Sequence, residues 1–163
     1  GLEPACLLGL RDEALAMGLG DAAQTVAAQA LLFEEFLARE ARNGHLDTLQ
    51  SRLKPAQRPI VLHGHCHQKA FGLMPEVLAA LRLIPQAEPR LIESSCCGMA
   101  GSFGYEASHH DVSMQMAELS LLPAVREQPD AIVVADGTSC RHQIIDGTQR
   151  RAVHAAVLLA RQL

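Results

Sequence analysis

Three short apolar segments, each followed by cysteine, constrain the fold of this chain more than any other feature. The three pairs are residues 59–62 with Cys66, residues 90–93 with Cys96 and Cys97, and residues 131–135 with Cys140. Segments of this length and composition are typical of buried strands, and stretches of helical periodicity lie between them. The alternation predicts an α/β fold, in which a parallel sheet has helices on both faces and the cysteine loops follow the C-terminal ends of the strands.

The C-terminal ends of parallel strands lie along one edge of a sheet, so we expect the four thiols to converge there. Cys96 and Cys97 run directly into a glycine-rich loop. In that loop Gly98 and Gly101 are candidate cofactor-binding residues, because glycine lets backbone N–H groups approach a bulky ligand. Thiolates are soft ligands that suit zinc and iron–sulfur clusters. Two alternatives stay open: the cysteines are small buried hydrophobes, or Cys96 and Cys97 form a thiol–disulfide relay.

Histidines surround the first of these cysteines, because His63, His65 and His67 alternate around Cys66. In an extended segment this alternation directs the three imidazoles to one side and Cys66 to the other. We therefore do not expect all three to bind the same ion as Cys66. A single imidazole could still complete a zinc site or donate a hydrogen bond beside it.

Composition excludes several classes of function. The chain has 163 residues, 48% of them apolar and 20% charged, which is typical of one soluble folded domain. The net charge of −4 argues against a nucleic-acid partner. No apolar run reaches the roughly 18 residues of a membrane span. Five cysteines with a vicinal pair fit metal-binding or redox thiols in a reducing compartment better than a disulfide framework.

Helical periodicity and punctuation give the remaining elements. We predict that residues 1–6 end a strand and that residues 45–58 form a polar connector with one helical turn. The predicted helices are 7–17, 22–42, 68–83, 111–121 and two more after Cys140. The opening residues Gly1 to Cys6 lack an initiator methionine, so we interpret the chain as a fragment of a longer protein.

Three motifs resemble those of the cysteine-rich CCG domain. They are residues 63–70 (HGHCHQKA), residues 96–104 (CCGMAGSFG) and residues 139–143 (SCRHQ). The resemblance covers roughly residues 1–148. The CCG domain occurs in heterodisulfide reductase and in the iron–sulfur subunits of glycolate oxidase and anaerobic glycerol-3-phosphate dehydrogenase. The chain looks most like the C-terminal iron–sulfur part of FAD-linked D-2-hydroxyacid dehydrogenases.

The resemblance implies an electron-transfer domain with no catalytic residue of its own. Its partners would be a flavin dehydrogenase domain or subunit, with FAD on the missing part of the protein, and an acceptor such as quinone. The implied cofactor is an iron–sulfur cluster, 4Fe–4S in type, with a structural zinc ion as the alternative. The implied location is cytoplasmic, or peripheral to the inner face of the membrane.

The resemblance also implies domain boundaries and ligands. Residues 1–58 would end a first CCG repeat and connect it to the second, residues 59–148 would form that second repeat, and residues 149–163 a C-terminal helix. The implied metal ligands are Cys66, Cys96, Cys97 and Cys140. The full family motif ends in Cys-x-x-Cys, and here Gly137 stands at its first position. Cys6 is a further candidate ligand, in place of the thiol that is missing at Gly137.

Overall fold

The computed structural model describes residues 1–163 and contains one three-stranded parallel sheet. β1 (Ile60–His63) lies between β2 (Arg90–Leu91) and β3 (Ile132–Ala135), and Val61 of β1 pairs with Val133 of β3. The helices before β2 are α1 (Pro4–Gly9), α2 (Glu13–Ala16), α3 (Asp21–Gln29), α4 (Phe33–Arg42), α5 (Asp47–Gln50), α6 (Cys66–Ala70) and α7 (Met74–Leu81). The later helices are α8 (His110–Glu118), α9 (Leu121–Arg126), α10 (Thr138–Thr148) and α11 (Ala155–Arg161).

The predicted fold class is confirmed, because the sheet is parallel and each of its faces is covered by helices. Ile60, Leu62 and Val134 lie in a core cluster with residues of α4, α7 and α11. Val61 and Val133 point to the opposite face and lie in a second cluster with residues of α8, α9 and α10. The central strand is therefore buried throughout, as a strand covered on both faces has to be. None of the helices combines the length and the apolar composition needed to cross a bilayer.

The lengths predicted for the longer helices are wrong, because each of these segments forms two shorter helices with a break between them. The predicted helix 22–42 breaks before Phe33, where the Glu35 carboxylate accepts the N–H of Leu32 at 2.9 Å and caps α4. The predicted helix 68–83 breaks at Gly72, which has a positive φ of 68°. The predicted helix 111–121 ends as α8, and α9 starts again with Pro123 in its first turn. Proline needs no hydrogen-bond acceptor in a first turn, so it marks a helix start.

The N-terminal prediction needs a larger correction. Residues 1–6 do not end a strand, because Pro4 begins α1. The predicted helix 7–17 is divided between α1 and α2, with a turn from Leu10 to Asp12. The helical turn predicted within residues 45–58 is present as α5. Proline at the first helical position accounts for the early start of α1, since its fixed φ is already that of a helix.

Arg150 connects β3 to the end of α9, on the face of the sheet that packs against α8, α9 and α10. Its guanidinium donates hydrogen bonds to the carbonyls of Val125, Gln128 and Ala131. These carbonyls belong to the end of α9 and the turn that leads into β3. The planar fork of arginine can serve three carbonyls at once, which a lysine ammonium on its flexible chain does less well. Arg150 therefore positions β3, from whose end the Cys140 loop departs.

We expect Arg150→Lys to lower the free energy of unfolding by about 2 kcal/mol, because hydrogen bonds from a charged donor are lost. The melting temperature should fall by roughly 5 °C, measured by circular dichroism. Arg151→Lys is the matched control, since Arg151 is the exposed neighbour. Equal melting temperatures for the two variants would contradict this account of Arg150.

Candidate metal centre

The cysteines lie where the strands end. Cys66 begins α6 just beyond β1, and Cys140 lies in the first turn of α10 just beyond β3. Cys96 and Cys97 lie in the loop that follows β2. Cys97 and Cys140 are buried, Cys66 and Cys96 are half-buried, and all four are free thiols. The cysteine loops thus present an inner pair of thiols and an outer pair.

The four thiols form one continuous series of neighbours. The contact with Cys96 raises the pKa of Cys66. The contacts with Cys66 and then Cys97 lower the pKa of Cys96. The contact with Cys140 raises the pKa of Cys97. The contact between Cys97 and Cys140, and next the nearby imidazole of His63, lowers the pKa of Cys140 to about 5. The packing of the four sulfurs thus favours negative charge at Cys96 and Cys140, inside a sheltered site.

The glycine loop brings backbone donors to the outer thiolate. The N–H of Gly98 lies 3.3 Å from the sulfur of Cys96, and the backbone of Ala100 also lowers the pKa of that thiol, after the larger effects of Cys66 and Cys97. Positive φ values of 93° at Gly98, 40° at Ala100 and 68° at Gly101 turn the chain around this sulfur. A Cβ on Gly98 would lie only 2.1 Å from the carbonyl oxygen of Ser113. Position 98 therefore requires glycine for steric and conformational reasons, while cofactor contact by Gly98 and Gly101 stays a prediction.

Two buried polar side chains hold this loop in place, and neither was predicted from the sequence. The Gln143 amide donates to the carbonyl and the hydroxyl of Ser113, at 3.0 and 2.9 Å. The Ser113 hydroxyl in turn faces the sulfur of Met99 at 3.8 Å. Gln143 lies three residues after Cys140 on α10, so helical spacing places it beside the thiol site. This spacing, within the motif of residues 139–143, is the sequence feature that could have indicated the role of Gln143.

Lys69 supplies positive charge beside the loop and was not predicted either. Its ammonium donates to the carbonyls of Ser94 and Ser95, at 2.5 and 2.7 Å. The charge acts on Cys66, whose pKa it lowers against the larger opposing effects of the Cys96 contact and burial. The spacing of three residues from Cys66 on α6 could have indicated this role.

His63 is the histidine that the fold brings to the thiols. Its Nδ1 lies 2.8 Å from the hydroxyl of Ser94, while its Nε2 is buried without a hydrogen-bond partner. One ring nitrogen of His63 and the sulfurs of Cys97 and Cys140 all lie within 4.8 Å of one another. His63 therefore lies beside the inner thiols. That the three histidines do not all share one ion with Cys66 stays a prediction.

His65 has a different position, beside Gly137. Its Nδ1 accepts the N–H of His67 at 3.2 Å and so caps α6. A Cβ on Gly137 would lie 2.4 Å from Cδ2 of His65 and 3.1 Å from the sulfur of Cys140. The His65 ring thus fills the space that a side chain at position 137 would need. A thiol at that position is excluded unless His65 moves.

The segment that contains Cys6 reaches the site through a neighbouring side chain. Cys6 itself is exposed on α1. The Glu3 carboxylate accepts the N–H of Thr138 at 3.0 Å and its hydroxyl at 2.7 Å, at the start of α10. The structure therefore places Glu3 beside the Cys140 loop, while ligation by Cys6 stays a prediction.

The donor set fits a metal bound mainly by sulfur. Soft thiolates, an unpartnered imidazole nitrogen and backbone N–H groups directed at sulfur are the components of zinc and iron–sulfur sites. Nε2 of His63 is buried and has no hydrogen-bond partner in the protein, which is energetically unfavourable. A cation bound by the inner thiols would give this nitrogen a partner.

The comparisons with known proteins agree with this geometry. The family model of the cysteine-rich domain, CCG, matches residues 60–145. That range contains Cys66, Cys96, Cys97 and Cys140 and leaves out Cys6. No solved structure matches the chain.

Curated relatives extend the match. An anaerobic glycerol-3-phosphate dehydrogenase subunit from Escherichia coli K12 is 34% identical over 111 residues, which are 68% of this chain and 28% of the relative. D-2-hydroxyglutarate dehydrogenase from the same strain is 31% identical over 161 residues, 97% of this chain and 15% of the relative. The Pseudomonas putida enzyme of that name is 30% identical over 115 residues, 67% of this chain and 11% of the relative. The chain spans less than a third of each relative, and it belongs to the cysteine-rich CCG domain family.

Proposed function

We propose that Cys66, Cys96, Cys97 and Cys140 hold an iron–sulfur cluster of the 4Fe–4S type. The observation that carries this proposal is that the loops after all three parallel strands bring four free thiols to one edge of the sheet, two of them half-buried and two buried. Four thiolates are the ligand set that such clusters take. When bound, a cluster of this kind accepts and donates single electrons.

The surrounding residues have defined tasks in this proposal. The N–H groups of Gly98 and Ala100 stabilise negative charge on Cys96, as hydrogen bonds to cluster sulfurs do. Lys69 adds positive charge next to the outer thiols. Met99 is buried and helps to keep water from the inner thiols. These groups bind, orient and shield the ligands, and none acts on a substrate.

The outer thiols define where electrons enter or leave. Cys66 and Cys96 are half-buried, whereas Cys97 and Cys140 are enclosed. A partner that docks over the outer pair comes nearer to the metal centre than one that docks elsewhere. We therefore place the contact with the electron-donating or electron-accepting partner over the loop of Cys66 and Cys96.

The domain then forms the electron-transfer part of a flavin-linked 2-hydroxyacid oxidoreductase. The relatives are named as a subunit of anaerobic glycerol-3-phosphate dehydrogenase and as D-2-hydroxyglutarate dehydrogenase. In our proposal a flavin domain or subunit with FAD oxidises the substrate and reduces this domain. An acceptor such as quinone reoxidises it, in the cytoplasm or at the inner face of the membrane.

A structural zinc ion is the second candidate, and one observation favours it. His63, Cys97 and Cys140 offer three donor atoms within 4.8 Å of one another, which suits a single ion. Under this alternative the domain would dock a catalytic partner and carry no electrons. Iron, sulfide and zinc content, measured together with an absorbance spectrum on protein prepared without oxygen, tests both. Iron and sulfide support the cluster, and zinc at one per chain after anaerobic reconstitution supports the alternative.

We expect Cys97→Ser to reduce bound metal sharply. Loss of a group that merely orients a metal ligand costs about 10–100-fold in affinity, and loss of a sulfur ligand should cost at least that much. Elemental analysis of anaerobically purified protein is the measurement. His110→Ala is the control, because His110 is exposed at the start of α8 and should leave the metal content unchanged. Unchanged metal in Cys97→Ser would remove Cys97 from the ligand set.

His63→Gln separates the two candidates. If the cluster proposal is right, iron and sulfide stay near the wild-type content, because all four sulfur ligands remain. If zinc is the native metal, the variant loses one of three clustered donors, and zinc affinity falls by at least about tenfold. The same elemental analysis reads both results. Loss of iron and sulfide from His63→Gln would contradict a cluster held by the four thiols alone.

A further inference from the structure

A second group of metal-ligating side chains lies apart from the thiols. It consists of Glu34 on α4, Asp136 just after β3, and His154, which caps α11. All three are buried, and one donor atom from each lies within 4.8 Å of the others. Nδ1 of His154 lies 3.5 Å from an oxygen of Asp136 and 3.7 Å from an oxygen of Glu34. None of the three belongs to the proposed cluster site.

Glu34 is the residue that the fold leaves unexplained. Its side chain is 0% exposed, and neither carboxylate oxygen has a hydrogen-bond partner. The adjacent Glu35 shows the usual arrangement, since its carboxylate binds Arg11 and the N–H of Leu32. A buried ionised carboxylate without partners is strongly unfavourable, because its lost hydration is not replaced. Both oxygens of Glu34 are therefore available to a ligand.

The other two residues hold their donor atoms within reach of the same ion. The Asp136 carboxylate accepts hydrogen bonds from Gln68 at 2.8 Å and from the N–H of Ala155 at 2.9 Å, which fix its position. Nε2 of His154 lies 2.8 Å from the carbonyl of Leu2, a contact that assigns the ring proton to Nε2. The single lone pair of His154 Nδ1 accepts the N–H of Ala156 at 3.0 Å and faces both carboxylates, so an ion bound there would displace the Ala156 N–H.

No lysine or arginine side chain neutralises the negative charge of Glu34 and Asp136. Neither Glu34 nor Asp136 forms an ion pair with a lysine or an arginine. Burial, and next the charge of Asp136, raises the pKa of Glu34 to about 8. Two buried carboxylates in contact can stay ionised only if a cation joins them. Either a proton or a metal ion must fill this role.

We propose that Glu34, Asp136 and His154 bind one divalent first-row transition-metal ion, of the Mn²⁺, Fe²⁺ or Zn²⁺ class. Two carboxylates and one imidazole are hard and borderline donors that suit these ions and differ from the soft thiolates of the cysteine site. The unpartnered oxygens of Glu34 favour an ion that several donors share over a proton on one oxygen. This site is independent of the proposed function, since it uses no residue of the cysteine site.

The ion would connect three elements of the fold. Glu34 belongs to α4, His154 begins α11, and Asp136 links β3 to α10. Asp136 also receives the Gln68 amide, whose oxygen accepts the N–H of His65 at 3.0 Å. A metal at Asp136 would therefore stabilise both the Cys66 loop and the Cys140 loop from behind.

Mn²⁺ titration of the chelator-treated chain, followed by electron paramagnetic resonance of free Mn²⁺, tests the proposal. Mn²⁺ prefers oxygen and nitrogen donors, so it reports on this site and not on the thiols. We expect one Mn²⁺ to bind per chain, with affinity at least tenfold lower in Glu34→Gln. Glu40→Gln is the matched control on α4, because Glu40 lies on the surface and pairs with Arg39 and His45. Glu40→Gln and Cys97→Ser should both bind Mn²⁺ as the wild type does.

Thermal melting supplies a second readout. Mn²⁺ or Zn²⁺ should raise the melting temperature of the wild-type chain and of Cys97→Ser, but not that of Glu34→Gln. Should Glu34→Gln fail to fold, His154→Asn serves instead, because asparagine keeps the helix cap and removes the imidazole. Equal Mn²⁺ binding in wild type and Glu34→Gln overturns the proposal. So does an infrared band of a protonated carboxylic acid that persists with Mn²⁺ and is absent from Glu34→Gln, since a proton then fills the role.

Discussion

Burial of β1 on both faces is the constraint on which the rest of the structure depends. Its four residues are all buried, so helices must cover the sheet on each side, and chemistry can occur only at the strand ends. The parallel arrangement then brings the loops after β1, β2 and β3 to one edge. Each loop contributes cysteine, and the site is a direct consequence of strand direction. A reversal of any one strand would move its thiol to the opposite edge.

Negative charge in the cysteine site results from the close packing of the four thiols. Thiols held in contact share protons, so Cys96 and Cys140 have lowered pKa values and their partners have raised ones. Backbone N–H groups and Lys69 offset part of the negative charge at the outer pair. The inner pair lies beside the imidazoles of His63 and His65. A metal bound to the deprotonated thiols would offset the remaining negative charge, so metal binding and the order of these loops should be coupled.

Strand positions and thiol convergence could be predicted because they depend on local patterns, namely short apolar runs followed by cysteine. The interruptions of the helices could be predicted less well, because the apolar periodicity continues across Gly72 and Pro123 and conceals the breaks there. His63 was one candidate among several, since alternation does not say which imidazole meets the thiols. Glu34 and His154 gave no signal at all. They lie 102 and 18 residues from Asp136, and only the packing of α4 and α11 on one face of the sheet brings them together.

The cysteine site and the site of Glu34, Asp136 and His154 share no residue, but Asp136 and Gln68 connect them in the fold. Asp136 precedes the loop of Cys140, and Gln68 follows Cys66 on α6. The Gln68 amide bridges the Asp136 carboxylate and the backbone of His65, so a shift at one end displaces the other. Because the bridge is buried, neither end can exchange its partner for water without losing a hydrogen bond. A cation bound at Asp136 would therefore also restrain the spacing between the Cys66 and Cys140 loops, which lie at the two ends of this bridge.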